Sequence, residues 1–183
     1  MTEINCPGML IVLGGLPGVG KTTIARELAR GLGAVHIRID SIEQGVRQSG
    51  VTARSIGDAG YRVGYAVVED NLRVGRTVIA DSVNPIPLTR DAWLGVALRA
   101  GTPVVEIELS CSDEREHRRR IERRLAEPPE FTGPTWDDVI SRDYRVWDRE
   151  HLVIDTAGAT VAHTVAELRA ALRSSQPPHL GCD

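Results

Sequence analysis

The sequence has few cysteines and few aromatic residues, and each scarcity is informative. Its three cysteines, Cys6, Cys111 and Cys182, lie far apart and form no Cys-x-x-Cys pair. We therefore expect reduced cytosolic thiols, and neither a zinc site nor a disulfide framework. Aromatic residues make up only 4% of the chain, so its core must be built from Val, Ile, Leu and Ala.

A strong charge of one sign and a long apolar run are also absent. The net charge is −3, which argues against a protein whose whole surface binds nucleic acid. No apolar run approaches the roughly 20 residues that span a bilayer, and the N-terminus lacks the basic residues of a signal peptide. We expect a cytoplasmic protein with one domain over residues 1–173 and a frayed tail at 174–183.

Lysine is nearly absent although arginine is abundant. Of 22 basic residues, Lys21 alone is a lysine. The base composition of the genome explains most of the arginine excess, but it does not explain why one lysine remains. A compact ammonium group cannot be exchanged for a planar guanidinium where space is tight.

Apolar patterns along the chain alternate between strands and helices. This alternation predicts an α/β fold with a parallel sheet covered on both faces. Ligands of such sheets bind beyond the carboxyl ends of the strands, and the second and third strands are followed by Asp40 and Asp81. Strands are predicted at residues 9–13, 34–39, 77–80, 103–109 and 152–154. Helices are predicted at 21–32, 41–49, 58–75 (with Val63, Val67 and Leu72), 88–100, 113–126 and 161–172, and a short one opens at Thr135.

A glycine-rich motif follows the first strand. Residues 15–22 read Gly-Leu-Pro-Gly-Val-Gly-Lys-Thr and match the G-x-x-x-x-G-K-[ST] pattern in full. Such a loop turns backbone N–H groups around phosphate oxygens, its lysine reaches the β- and γ-phosphates, and its hydroxyl ligates Mg²⁺. The predicted nucleotide-binding residues here are Gly15, Leu16, Pro17, Gly18, Val19, Gly20, Lys21, Thr22 and Thr23.

On this motif the chain resembles the P-loop NTPases, and more narrowly the small P-loop kinases. The resemblance extends from Met9 to Leu172. It implies a three-layer fold with a five-stranded parallel sheet in the order 2-3-1-4-5, and ATP or GTP as phosphoryl donor. It also implies an arginine-rich lid, here about residues 113–135, that closes over the donor phosphates.

Two other classes of P-loop protein fit less well. GTPase switch proteins usually carry an Asn-Lys-x-Asp motif, which would need a second lysine. AAA+ motors carry Asp-Glu after a hydrophobic strand, where this chain reads Asp81-Ser82, and they continue into a helical subdomain. A kinase therefore remains the favoured class.

Asp40 lies on the expected acceptor side of the γ-phosphate. Its position resembles the polynucleotide kinase and chloramphenicol phosphotransferase branches, in which an Asp here accepts the proton of an attacking hydroxyl. The alternative is that Asp40 caps the following helix. Arg38 and Arg54 are predicted to bind the acceptor beside it, and they would hold an anionic acceptor if no base were required.

Three further groups complete the predicted site. Asp81 is predicted to orient the water shell of Mg²⁺, with Thr22 as a ligand; the alternative is a turn or cap residue. Six arginines lie at residues 115–124, and Arg120 and Arg124 share one face and are predicted to be catalytic with Lys21 and Asp40. Arg119 and Arg123 form the alternative face. Thr156 and Ala157 are predicted to lie along the nucleotide base; the alternative is a simple strand-to-helix turn.

The chain segment after Asp40 points to a small acceptor. Residues 41–75 carry four acids, four bases and one tyrosine pair, whereas a polynucleotide kinase needs a basic channel with stacking platforms. We favour a Mg²⁺-dependent transfer of the γ-phosphate from ATP or GTP to a hydroxyl of a small molecule, such as a nucleoside or an antibiotic. A polynucleotide 5′-hydroxyl kinase and a nucleotide-binding regulator without an acceptor are the alternatives. The sequence leaves the oligomeric state open.

Overall fold

The computed structural model of the chain describes residues 8–49, 57–126 and 133–174. Within these ranges, every helix and strand end falls within two residues of its predicted place. The strands are β1 (Leu10–Gly14), β2 (Val35–Arg38), β3 (Val78–Asp81), β4 (Val104–Ser110) and β5 (Leu152–Asp155). The helices are α1 (Lys21–Leu32), α2 (Ile39–Gln48), α3 (Ala59–Arg73), α4 (Pro87–Ala100), α5 (Glu114–Leu125), α6 (Trp136–Ile140) and α7 (Val161–Ser174).

The strands form one parallel sheet in the order β2-β3-β1-β4-β5, which confirms the predicted fold class and strand order. At the centre, Leu10 of β1 pairs with Val78 of β3 and with Val104 of β4. All five residues of β1 are buried. Parallel strands that are covered on both faces consist of continuous apolar runs, which is why β1 could be recognised in the sequence.

The side chains of β1 alternate between two cores. Ile11 and Leu13 pack with α1 and α7 on one face of the sheet. Leu10 and Val12 pack with α3 and α4 on the other face. The helices thus cover both faces, and the carboxyl edge of the sheet is the place where polar side chains can gather. No helix in the described ranges is both long and apolar enough to cross a membrane.

The buried face of α3 is formed by Gly60, Gly64, Val68 and Leu72, and it does not include the predicted Val63 and Val67. Val63 and Val67 are exposed, whereas Gly64 lies on the buried face together with Leu72. A Cβ atom on Gly64 would lie 2.3 Å from Cδ1 of Ile39. The close approach of α2 and α3 therefore requires a residue without a side chain at this position.

The second strand ends earlier than predicted, and this changes the place of Asp40. Because α2 already begins at Ile39, Asp40 lies in the first turn of this helix and not directly after a strand. The N-cap residue is Arg38, and its side chain makes no capping hydrogen bond. Asp40 is therefore not the N-cap of α2, and its carboxylate accepts a hydrogen bond from the Arg38 guanidinium at 2.7 Å.

The short helix α6 begins where Thr135 predicts it. The Thr135 hydroxyl accepts a hydrogen bond from the Asp138 N–H at 3.2 Å, and the Asp138 carboxylate accepts one from the Thr135 N–H at 2.9 Å. This capping box fixes the start of the helix. The chain that leaves α6 brings Arg142 to the edge of the cleft described next.

Candidate active site

The carboxyl edge of the sheet opens into one large cleft. Its volume is about 1350 Å³, which exceeds the roughly 300–1,000 Å³ typical of a pocket for one small ligand. The cleft therefore has room for a nucleotide and a second molecule. Its walls include residues of the ranges 17–26, 38–48, 81–85, 116–124 and 156–164.

The glycine-rich loop forms one wall of the cleft. Gly15, Gly18 and Gly20 have φ angles of 128°, 86° and 101°, which residues with a side chain rarely adopt. Gly20 is the N-cap residue of α1 and offers no side-chain cap, so the first N–H groups of the helix remain for a phosphate. Of the nine predicted loop residues, 17–23 line the cleft.

Gly15 and Leu16 instead hold Lys21 through their carbonyl groups. The Lys21 ammonium donates hydrogen bonds to the Gly15 carbonyl at 2.7 Å and to the Leu16 carbonyl at 2.8 Å. Burial lowers the pKa of Lys21 to about 8, although the charges of Asp81 and Asp40 oppose this shift. A phosphate in the loop would add an anionic partner directly at this buried ammonium.

Asp81 lies at the end of β3 and is almost fully buried. Its Oδ2 accepts a hydrogen bond from Nε2 of His36 at 3.2 Å, and the carboxylate also accepts one from the Thr22 hydroxyl. Burial by itself would raise the pKa of Asp81. The His36 hydrogen bond, the Lys21 charge and the Thr22 hydrogen bond outweigh burial and hold this pKa below its ordinary value.

Thr22 and Asp81 form a donor set that suits Mg²⁺ when phosphate is bound. In the described part of the chain, no group of three or more His, Cys, Asp or Glu side chains could hold a metal ion alone. Mg²⁺ prefers oxygen ligands, keeps several waters, and is commonly held by one or two protein groups together with substrate phosphates. A hydroxyl beside an ionised carboxylate meets that requirement.

Asp40 and Glu43 form the acidic part of the opposite wall. Arg38 donates to Asp40 at 2.7 Å, and its Nε lies 4.0 Å from Oδ2 of Asp81. Burial and the neighbouring charge of Asp40 raise the pKa of Glu43. Arg38 thus links the predicted acceptor carboxylate to the predicted magnesium carboxylate. Arg54, the other predicted acceptor-binding arginine, lies outside the described residues.

The arginines of α5 have different partners. Arg120 donates to the Thr156 hydroxyl and to the Thr156 carbonyl, both at 2.8 Å, and to Glu116 at 2.5 Å. Arg124 lines the cleft, and its charge contributes to lowering the pKa of Lys21. Arg120 is therefore held against the loop that follows β5, whereas Arg124 lies within electrostatic reach of the phosphate loop.

Thr156 connects the loop after β5 to the phosphate loop. Its hydroxyl lies 2.9 Å from the Val19 carbonyl and 2.8 Å from the Ser110 carbonyl. The Ala157 N–H is bonded to the Asp155 carboxylate at 3.0 Å. Thr156 lines the cleft and Ala157 does not. The predicted base-contacting loop is therefore anchored directly to the phosphate-binding loop.

The residues of the site that were not predicted from the sequence include the following four. His36 contacts Asp81, and Glu43, Tyr61 and Arg142 line the cleft. Glu43 could have been found, because it lies three residues after Asp40 on one helix face. The other three belong to no motif, and their positions depend on how distant segments meet.

The chain matches one family model and one curated relative over most of its length. Residues 10–144 match the model described as an AAA domain. A probable adenylyl-sulfate kinase of Aeropyrum pernix is 29% identical over 185 residues, which cover 92% of this chain and 95% of that protein.

Solved structures of two kinases have the same fold. The APS kinase of Mycobacterium tuberculosis in complex with AMPPNP and APS superposes with a TM-score of 0.71 at 19% identity and covers 91% of this chain and 98% of that one. A gluconokinase from Sinorhizobium meliloti gives a TM-score of 0.58 at 18% identity, over 94% of this chain and 99% of that one. At such identities the likeness shows the fold alone.

Proposed function

The chain belongs to the AAA domain family, and from that membership and its cleft we propose a Mg²⁺-dependent kinase that phosphorylates a hydroxyl of a small molecule. ATP or GTP is the phosphoryl donor. The observation that carries the proposal is that Asp40 lines the same cleft as Lys21 and lies close enough for its charge to raise the pKa of that lysine.

The family description does not by itself make the chain a motor. In the sequence, Asp81 is followed by Ser82 and not by the glutamate that AAA+ motors carry. On the opposite wall, the Asp40 carboxylate is paired with Arg38 and lies beside space for a second molecule. This arrangement supports transfer to an acceptor.

Residues of the loop wall serve the donor. Backbone N–H groups of residues 18–23 and the Lys21 ammonium bind the phosphates, and the loop that carries Thr156 lies along the base. Thr22 and Asp81 would hold Mg²⁺, which neutralises negative charge on the phosphates when bound. Arg124 approaches the transferred group from α5 and stabilises the charge that it carries, whereas Arg120 positions Thr156 in the loop beside the base.

Asp40 acts as the general base on the acceptor side. As the acceptor oxygen forms its bond to the γ-phosphorus, the hydroxyl proton moves to the Asp40 carboxylate. The bond from the γ-phosphorus to the bridging oxygen breaks, and the nucleoside diphosphate leaves with that oxygen. Arg38 holds the Asp40 carboxylate at 2.7 Å and binds the acceptor beside it.

The name of the Aeropyrum relative gives a first acceptor to try. Adenylyl sulfate is therefore placed first in the panel, followed by nucleosides, sugars and antibiotics that carry free hydroxyl groups. The assay measures transfer of label from the γ-position of ATP or GTP to each compound. A regulator without an acceptor would label none of them.

Replacement of Asp40 by asparagine tests the base. Asp40→Asn removes the proton-accepting group and should lower transfer by about 10²–10⁴-fold while nucleotide binding persists. Asp58→Asn is the matched control, because Asp58 is similarly exposed, pairs with Arg62 at 2.7 Å, and does not line the cleft. Unchanged turnover in Asp40→Asn would contradict the proposed mechanism.

A further inference from the structure

The cleft carries an excess of positive charge. Among the described residues that line it, nine are arginine or lysine and four are aspartate or glutamate. A nucleoside triphosphate that is partly neutralised by Mg²⁺ offsets only part of that excess. The remaining positive charge favours a second ligand that is an anion.

Among the described residues of the acceptor side, two of the three arginines that line the cleft have carboxylate partners. Arg38 is bonded to Asp40 at 2.7 Å, and Arg47 is bonded to Glu43 at 3.2 Å. Arg142 also lines the cleft, but in the described part of the chain no hydrogen bond or ion pair involves its side chain. Its charge contributes to lowering the pKa of Asp138 and acts in the same direction on Glu43, so acidic groups lie nearby, but among the described residues none is bonded to its guanidinium.

Hydrogen bonds fix the position of the chain segment that follows Arg142. The buried Arg90 donates hydrogen bonds to the carbonyls of Arg145 at 2.5 Å and of Val146 at 3.1 Å. The Arg145 N–H donates to the Pro85 carbonyl at 2.9 Å. Pro85 lines the acceptor cleft itself. Arg142 therefore projects from a segment that is anchored three residues away to the cleft wall.

The charge of Arg142 reaches both walls of the cleft. It contributes to lowering the pKa of Lys21 on the phosphate-loop wall and acts in the same direction on Glu43 of α2. Its charge therefore acts on ionisable groups of both walls.

We propose that Arg142 binds an oxyanion group of the acceptor, so that the acceptor is a small molecule with both a hydroxyl and a phosphate, sulfate or carboxylate. This inference rests on the proposed function, because only a kinase has an acceptor. A guanidinium fork matches such oxyanions with paired hydrogen bonds. A neutral nucleoside or antibiotic would leave Arg142 without a partner.

Binding of inorganic sulfate tests the site without any turnover. The protein is first saturated with Mg²⁺ and AMPPNP, so that the donor site is filled, and sulfate is then titrated at constant ionic strength against chloride. We expect the dissociation constant for sulfate to be about 10- to 100-fold higher in Arg142→Gln than in the wild type, the range of one charge-assisted hydrogen-bonding group. Arg142→Lys should recover part of the affinity.

Arg145→Gln is the matched control. Arg145 lies three residues away, its side chain is 65% exposed and 3.5 Å from Asp143, and it does not line the cleft. This variant should bind sulfate as the wild type does. If Arg142→Gln also binds sulfate as the wild type does, or if the wild type shows no saturable sulfate binding, the inference is wrong.

Transfer to paired acceptors gives the second readout. Glucose is compared with gluconate, and ribose with ribose 5-phosphate. The anionic member should have the higher kcat/KM by at least about tenfold, and Arg142→Gln should remove this preference by raising KM rather than lowering kcat. Equal use of the neutral member would overturn the inference and leave the kinase proposal standing.

Asp40→Asn separates the two proposals. This variant should retain the Arg142-dependent sulfate binding, because Asp40 is not part of the oxyanion site. If sulfate binding depends on Arg142 but Asp40→Asn transfers phosphate normally, the anion site stands and the proposed general base is what fails.

Discussion

Nucleotide affinity should fall as the pH rises above 8, because Lys21 then loses the proton that makes it a partner for phosphate. Burial lowers the pKa of Lys21 to about 8 in the empty protein. Bound phosphates favour the charged ammonium, so the pKa of Lys21 is higher in the complex. Above pH 8 the empty protein is deprotonated first, and binding must take up a proton.

The magnitude follows from the distance between the pH and this pKa. With a pKa of about 8, about one lysine in ten is deprotonated at pH 7 and about nine in ten at pH 9. The dissociation constant for AMPPNP with Mg²⁺ should therefore rise about tenfold between pH 7 and pH 9. Mg²⁺ favours the fully ionised phosphates, and the Lys21→Met reference described next accounts for any proton that they exchange.

Isothermal titration calorimetry measures both the affinity and the proton. Heats recorded in buffers of different ionisation enthalpy should show almost one proton taken up per nucleotide at pH 9 and almost none at pH 7. Lys21→Met is the reference for other titrating groups, including the α-amino group, and it should bind weakly with no such pH dependence. Lys21→Arg should also fail, because the planar fork does not fit a loop shaped around an ammonium. A flat affinity profile in the wild type, without proton uptake, would refute the assignment of Lys21.

Four further substitutions test individual arginines. Arg124→Gln should lower kcat at least about tenfold with little change in the KM for ATP, whereas Arg120→Gln should mainly raise that KM, because it releases Thr156; steady-state kinetics with the reverse pattern would exchange their roles. Arg90→Met removes a donor from four carbonyls, of which that of Pro85 keeps the Arg145 N–H, and it should lower the free energy of unfolding by about 3 kcal/mol in urea denaturation. Arg99→Met, on the same helix but exposed, should cost less than about 1 kcal/mol.

The sequence predicted the elements that depend on local pattern and motif. The phosphate loop could be recognised in the sequence because its backbone angles favour glycine. The strand before it and the helix after it also differ in the period of their apolar residues. The strand order came from the resemblance, since no local pattern shows which strands pair. Asp40 was placed one element too early, because the helix α2 begins without any capping side chain to mark its start.

Contacts between distant segments account for what was missed. Gly64 is buried because Ile39 of another helix approaches it. The hydropathy pattern had instead predicted Val63 and Val67 on the buried face, and both are exposed. His36 contacts Asp81 only because β2 pairs with β3, and Asp81 is the last residue of β3. Arg142 reaches the cleft only because Arg90 holds the following chain against the loop after β3. Each of these facts depends on the assembled sheet.

Because the chain has a single lysine, cleavage after that lysine can report how often the phosphate loop opens. A protease that cleaves only after lysine has one cleavage site in this chain, the bond after Lys21. That bond lies at the first residue of α1, and the side chain that the protease must recognise is buried. Cleavage into residues 1–21 and 22–183 therefore requires the loop and the first helical turn to come apart. The rate at which these two fragments form would measure how often the loop opens. A bound nucleotide would lower this rate by the same factor by which it lowers the population of the open loop.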